Sequence, residues 1–279
     1  MIHMQTQYMI NGRREGCISP MDRGFAYGDG VFRTLPVRHG IPHCWLMHYA
    51  RLSQDCHRLG IVCPSARLLL SEVEALCHDV TACVIKIVIT RGESGRGYAV
   101  PALAQPTRVL VMSGLPEYAE RHASEGVDMH VCQTRLAIQP QLAGIKHLNR
   151  LENVLARMEW TDASIAEGLM LDVEGCVIEG TMSNLFVRHG EVFSTPDLSR
   201  SGVAGVTRDR VIAMLGQRGH PVQIRRFLLD EVLSADEVFV CNSLIGAWQV
   251  RSISGKQWEK QPLTAELRCE LESDNALDI

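Results

Sequence analysis

The sequence predicts an α+β protein in two domains, and three observations carry that expectation. Short β-branched runs and amphipathic helical stretches follow one another without regular βαβ alternation, no internal repeat is visible, and the pattern breaks at Leu115-Pro116-Glu117 before a polar stretch reaching Gly126. The 279 residues, 46% hydrophobic and 22% charged, suffice for one large core or two moderate ones, which excludes a disordered or fibrous chain. The expected boundaries are a smaller N-terminal domain at 1–116, a linker at 117–126 and a larger C-terminal domain at 127–279.

Taken in order, Tyr8-Met9-Ile10 reads as a strand entering a type I′ turn, because Asn11-Gly12 tolerates the positive φ values which that turn demands. Tyr49, Leu52, Cys56 and Leu59 recur at helical spacing from His48 onward, Gly60 supplies a stop, and a second helix is expected over Ser71 to Val80. Ala82 to Thr90 and Arg108 to Ser113 suit paired strands. The second half restarts with a strand at Val127 to Thr134, and Pro140 to Gly144 supplies a loop. A helical segment follows, with apolar residues at Leu148, Leu151, Leu155 and Met158. Gly168 to Val173, Cys176 to Glu179, Asn184 to Val187 and Val192 to Ser194 read as short strands joined by tight turns. A helix is expected from near Thr207 and a strand at Glu237 to Cys241.

The net charge of −4 and isoelectric point near 6.3 exclude a chain built to coat nucleic acid or an anionic membrane, while small anionic ligands remain compatible. Met1 to Thr6 lacks the basic and apolar regions of a signal peptide, and the apolar runs fall short of the roughly 18 residues a spanning helix needs. The expectation is a cytoplasmic protein with neither nucleic acid nor membrane as partner. The ten cysteines contain no Cys-x-x-Cys, and several sit in apolar runs, so they read as reduced core residues; no metal site is expected.

The basic set is unbalanced: of 28 Lys and Arg residues only Lys86, Lys146, Lys256 and Lys260 are lysines, so any lysine chemistry has few candidates. Lys256 and Lys260 lie in a polar segment. Lys86 sits in the apolar strand Val84 to Ile89. Lys146 stands at a loop-to-helix junction in Ala143-Gly144-Ile145-Lys146-His147-Leu148-Asn149-Arg150, where a helix N-terminus and basic neighbours favour a neutral, nucleophilic amine. On this ground alone it is either a solvated surface lysine or a catalytic one. Gly202 to Gly205 feed a helix whose first turn carries Thr207; such an end either holds a phosphate or is simply capped by the threonine. Glu179, in Val177-Ile178-Glu179-Gly180-Thr181, is either a strand-end turn residue or a carboxylate for a protonated ring nitrogen.

A lysine, an acid and a phosphate loop together are the parts of a pyridoxal-phosphate site. From Asn11-Gly12 through Asp22-Arg23-Gly24-Phe25-Ala26-Tyr27-Gly28-Asp29-Gly30-Val31-Phe32 to Cys241-Asn242-Ser243, the sequence resembles the fold type IV pyridoxal-phosphate enzymes. That family contains branched-chain and D-amino-acid aminotransferases and aminodeoxychorismate lyases. Gly144-Ile145-Lys146-His147-Leu148-Asn149-Arg150-Leu151-Glu152 and Gly95-Arg96-Gly97-Tyr98 look like the lyase branch. The resemblance implies a two-domain enzyme with pyridoxal 5′-phosphate between its domains, the larger C-terminal domain binding the cofactor. It implies cleavage of 4-amino-4-deoxychorismate to 4-aminobenzoate and pyruvate in folate biosynthesis, and a homodimer. It carries over Lys146 as the Schiff-base lysine and proton shuttle, Glu179 as the pyridinium partner, Arg51, Val206 and Thr207 as phosphate ligands, and Asn242 and Ser243 at the same end of the cofactor. Arg96, Tyr98 and Arg150 are its candidates for the substrate carboxylates. Where such lyases often carry two hydroxyl residues after Gly-Asp-Gly-x-Phe, this chain has Arg33-Thr34, leaving Thr34 as the one hydroxyl for proton relay and Arg33 as either a carboxylate contact or an outward-pointing residue. The rival readings are an aminotransferase of the same family and a catalytically inactive pyridoxal-phosphate-binding protein.

Overall fold

A computed structural model describes residues 6–273. The chain divides into two compact units, one comprising the described residues up to Pro116 together with Lys146–Asn149, the other Glu117–Ile145 with the described residues from Arg150 on.

In the first unit β1 (Gln7–Ile10) ends in the expected turn: Asn11 and Gly12 have φ of 48° and 80°, and Ile10 and Arg13 exchange backbone hydrogen bonds. The hairpin goes no further, because β1 pairs with a strand a hundred residues away. A helix that the sequence pattern did not announce, α1 (Arg23–Tyr27), starts at Asp22, whose Oδ1 accepts the Gly24 N–H at 2.8 Å while its Oδ2 accepts the Thr90 hydroxyl at 2.8 Å. There follow β2 (Gly30–Arg38), β3 (Ile41–Pro42), α2 (Trp45–Arg58), α3 (Ala66–Leu76), β4 (Ala82–Thr90) and β5 (Thr107–Ser113). The strands form an antiparallel sheet in the order β1-β5-β4-β2-β3. The helix α3 lies five residues upstream of its expected start because Ser65 caps it, its Oγ accepting the Leu68 N–H, and it ends before Asp79, which turns at φ 64°. Leu52 and Cys56 of α2, Leu69, Val73 and Leu76 of α3, and Leu35, Ile85 and Leu110 of the sheet are all buried.

The second unit contains α4 (Glu120–Ser124), β6 (Val127–Leu136), α5 (Leu151–Arg157), β7 (Ile165–Asp172), β8 (Val177–Gly180), β9 (Asn184–His189), β10 (Val192–Pro196), α6 (Val206–Gln217), β11 (Val222–Arg225), α7 (Leu229–Leu233), β12 (Glu237–Asn242), β13 (Gly246–Ile253), β14 (Lys256–Gln257) and α8 (Pro262–Ser273). One mixed sheet runs β11-β10-β9-β12-β13-β6-β7-β8, with β14 on β13. The stretch 117–126, read as a linker, carries α4, and Tyr118 packs edge-on against Trp248 at 4.8 Å. Val211, Met214 and Leu215 of α6 and Leu267 and Leu271 of α8 cover Phe186, Phe193 and Phe239, whose rings stack or meet edge-on.

The helix expected around Leu148 begins only at Leu151, since 146–149 belong to the first unit. Its apolar stripe does not face a core: Leu151, Val154, Leu155 and Met158 are 47–71% exposed, and Ala156 is the residue it buries. No helix among the described residues is long and apolar enough to cross a membrane.

At the centre of the first unit Asp29 accepts hydrogen bonds from Nε of Arg23 (2.8 Å) and Nε of Arg91 (2.7 Å). Burial raises the Asp29 carboxyl pKa, but the two guanidinium groups outweigh it and hold the group below the ordinary carboxylate range. A depressed folded-state pKa contributes stability above the unfolded value, and that contribution is lost as pH falls through the folded value. Asp29→Asn, which leaves two buried arginines short of a counter-charge, is expected to lose about 3 kcal/mol at pH 7. In urea unfolding the gap between wild type and variant should close below about pH 4; an unchanged gap there would contradict the pairing.

Candidate active site

The segment Lys146–Asn149 runs along β2 rather than entering a helix: the Lys146 carbonyl accepts the Phe32 N–H at 2.9 Å, and the Leu148 N–H donates to the Gly30 carbonyl at 3.0 Å. The Lys146 N–H donates to Asp55 Oδ2 at 3.1 Å. Asp55 lies on the buried face of α2 and is itself paired with Arg33. Burial pushes the Asp55 carboxyl up despite the pull of Arg33. The backbone of Lys146 is therefore held on both sides while its side chain reaches over the ring of Phe32, with Nζ 4.7 Å from the centroid. Lys86 does the same at 4.8 Å, so the one lysine that competed with Lys146 in the sequence is brought to the same ring. Thr34 stands directly opposite Lys86 in the β2–β4 register, and directly opposed residues share a sheet face.

Arg33 is neither outward-pointing nor aimed at an exposed site; it is 2% exposed and committed to Asp55. Arg51, half-buried on α2, donates to Gln54 Oε1 at 3.1 Å. Arg96 and Tyr98 sit exposed on the loop 94–99, which Arg23 organises by donating to Ser94 Oγ and to the carbonyls of Gly97, Tyr98 and Ala99. The Tyr98 ring meets Tyr27 at 5.3 Å.

In the second unit Glu179, 3% exposed on β8, accepts the Val203 N–H at Oε2 over 2.7 Å. Gly202 makes this approach feasible: at φ 81°, with Ile178 Cγ2 only 2.6 Å from where a Cβ would lie, no larger residue fits. Asn184 ties the next turn by donating to the Val203 carbonyl at 2.8 Å and accepting the Gly205 N–H at 3.2 Å. The cap of α6 is Gly205, not Thr207, and it offers no side chain. An α-helix leaves its first amides without an intrahelical acceptor, which here include those of Val206 and Thr207. Thr207 Oγ1 lies 3.2 Å from Ser243 Oγ. Asn242 shapes the following turn, accepting the N–H groups of Leu244 (2.8 Å) and Ile245 (3.0 Å) and donating to the Met182 carbonyl at 3.1 Å. Arg150 precedes α5, its guanidinium 3.4 Å from Asn153 Oδ1.

Three positions escaped the sequence reading. Asp55 leaves one signal, an acid on the apolar stripe between Leu52 and Cys56. Phe32 leaves none. Glu167, 1% exposed, accepts hydrogen bonds from Gly168 N, both N and Oγ1 of Thr181, Met182 N and Ser183 Oγ, and so shapes the turn that follows Glu179.

A family model described as amino-transferase class IV matches residues 30–253. An aminodeoxychorismate lyase of Vibrio harveyi is 39% identical over 251 residues, 90% of this chain and 92% of that one. The chain belongs to the amino-transferase class IV family. A 4-amino-4-deoxychorismate lyase from Pseudomonas aeruginosa, solved as a crystal structure, is 47% identical with a TM-score of 0.92, the match covering 98% of this chain and 100% of that one. A D-alanine aminotransferase of Bacillus licheniformis is 28% identical, covering 89% of this chain and 88% of its own.

Glu167→Gln tests the turn: a carboxamide NH2 facing the Met182 or Thr181 N–H leaves donor opposed to donor. The variant is expected to lose about 2 kcal/mol in denaturant unfolding. Full retention of stability would show that the five donors do not depend on the carboxylate.

Proposed function

We propose that this class IV protein is an aminodeoxychorismate lyase, converting 4-amino-4-deoxychorismate to 4-aminobenzoate and pyruvate. The observation that carries the reading is the run Gly144 to Glu152, whose Lys146 is held through its backbone by Asp55 and β2 and shares the Phe32 ring with a second cation, Lys86. Relatives bearing the lyase name, at 39% and 47% identity, support it over the aminotransferase reading at 28%.

The residues present fit pyridoxal 5′-phosphate. Gly205 at an uncapped helix start, the amides of Val206 and Thr207, and the hydroxyls of Thr207 and Ser243 are a donor set for a phosphate dianion, and the buried, amide-bonded Glu179 suits a protonated ring nitrogen. We assign Val206, Thr207, Ser243 and Arg51 to the phosphate, Glu179 to the ring nitrogen and Lys146 to the aldehyde carbon; Asn242 shapes the turn that carries Ser243. When bound, the cofactor takes up the electron pair left at the carbon bearing the substrate amine.

Lys146 Nζ removes the proton from ring C4, the enolpyruvyl C–O bond breaks, and the ring becomes aromatic. The departing enolpyruvate gains a proton at its methylene carbon to become pyruvate. Aromatisation supplies much of the driving force, so the protein's part is to place a base and hold two carboxylates. Lys86, Arg96, Tyr98 and Arg150 are the groups we assign to the carboxylates, and Thr34 to proton relay. We also propose a cytoplasmic homodimer, supported by the exposed apolar stripe of α5.

Purified protein mixed with 4-amino-4-deoxychorismate is expected to release equimolar 4-aminobenzoate and pyruvate. No product, with conversion of the cofactor spectrum by D-alanine or a branched-chain amino acid, would establish the aminotransferase instead. Lys146→Ala should abolish product and the absorbance of the lysine-bound cofactor, whereas Glu179→Gln should keep cofactor binding and lower kcat on the order of 10²-fold.

A further inference from the structure

Tyr49, Ser53 and Cys56 occupy positions i, i+4 and i+7 of α2 and so share one helix face. Beyond Gly60, at φ 64°, the chain doubles back: the Ile61 N–H donates to the Cys56 carbonyl at 2.8 Å and the Tyr49 hydroxyl donates to the Pro64 carbonyl at 3.1 Å. This lays residues 61–64 along that face and brings the Cys63 thiol into hydrogen bonding with Cys56, Ser53 and Tyr49. Cys56 is fully buried, whereas Cys63 is half-buried beside Val62, which is 69% exposed. A solution oxidant therefore meets one member of the pair and not the other. The two sulfurs are hydrogen-bonded to each other, and their unequal exposure divides the pair into a sulfur that an oxidant meets first, Cys63, and a buried resolving neighbour, Cys56.

We propose that Cys56 and Cys63 are a redox-active dithiol which hydrogen peroxide converts to a disulfide. The Cys63 sulfur attacks one peroxide oxygen, the O–O bond breaks, and the departing hydroxide takes the thiol proton to leave Cys63 as a sulfenic acid and one water. The Cys56 sulfur then attacks the Cys63 sulfur, and hydroxide leaves with the Cys56 proton as a second water. Two thiols and one peroxide give one disulfide and two waters; the sulfurs lose two electrons and the peroxide gains them.

Oxidation draws Cys56 towards residues 61–64, and Cys56 adjoins Asp55, the residue that holds the Lys146 backbone. Coupling to catalysis follows, and this part rests on the lyase reading. A second pair provides an internal comparison: Cys77 and Cys83 have sulfurs 3.6 Å apart but are only 6% and 0% exposed, so a solution oxidant reaches them slowly.

The test treats the whole protein with stoichiometric hydrogen peroxide, alkylates the remaining thiols and maps peptides by mass spectrometry. A Cys56–Cys63 cross-linked peptide two hydrogens lighter than its reduced form, reversed by dithiothreitol and absent from Cys63→Ser, is expected. Cys56→Ser should stop at a Cys63 sulfenic acid that dimedone traps. Reduced Cys56 and Cys63 after this treatment, or a Cys77–Cys83 disulfide forming first, would overturn the proposal. Release of 4-aminobenzoate should fall at least tenfold in the oxidised protein and recover with dithiothreitol, while Cys63→Ser keeps its activity under peroxide. A disulfide with unchanged activity would overturn the coupling. Absence of product even from reduced protein would count against the lyase reading and leave the covalent result standing.

Discussion

The carboxylate of Asp29, held between the guanidinium groups of Arg23 and Arg91, is the constraint on which the N-terminal unit depends. Each arginine also donates to backbone carbonyls: Arg91 to those of Leu59 and Gly60, both at 2.7 Å, and Arg23 to those of Gly97, Tyr98 and Ala99 as well as to the Ser94 hydroxyl. One buried ion cluster thus joins α1, the end of β4, the end of α2 and the loop bearing Arg96 and Tyr98. An ion cluster of this kind stabilises only while every donor is matched, because a buried charge left alone costs several kcal/mol. Arginine suits it better than lysine, since a planar fork of five donors serves a carboxylate and several carbonyls at once.

The same economy governs Lys146. Its placement comes not from a helix N-terminus but from an acceptor on α2 and a strand edge on β2, which fix the backbone and leave the amine to extend over Phe32. In the second unit a comparable task falls to short side chains. Asn184 and Glu179 fasten the turn of 202–205 through backbone N–H and C=O groups, and two glycines let the chain pass close enough to be fastened. In both units side chain to backbone bonds fix main-chain atoms of a loop, and at Lys146 backbone bonds to β2 add to them.

The residues of the proposed site stand out because they carry unusual chemistry in sequence: an acid closing an apolar strand, glycines before a helix, a lysine two residues after a glycine. The strands Ala82–Thr90 and Asn184–His189 were legible for the simpler reason of β-branched and apolar content. Other features were not. The stripe of Leu151, Leu155 and Met158 has helical spacing, yet it stays exposed, because periodicity reports an apolar face and not what covers it. The start of α3 was misplaced because Ser65, a cap outside the apolar run, decides it.

What the sequence by itself determined is the chemical inventory and the local elements: four lysines, the glycine turns, the class IV motifs and an α+β pattern. These follow from residue type and short-range sterics, which the chain carries at every position. The tertiary structure alone decided that β1 joins β5 rather than a neighbouring hairpin, that Arg33 turns inward to Asp55, and that Lys86 and Lys146 share one aromatic ring. Each of those depends on residues tens of positions apart, brought together by burial and by the matching of buried charges, and no local pattern encodes which partner a buried group will find.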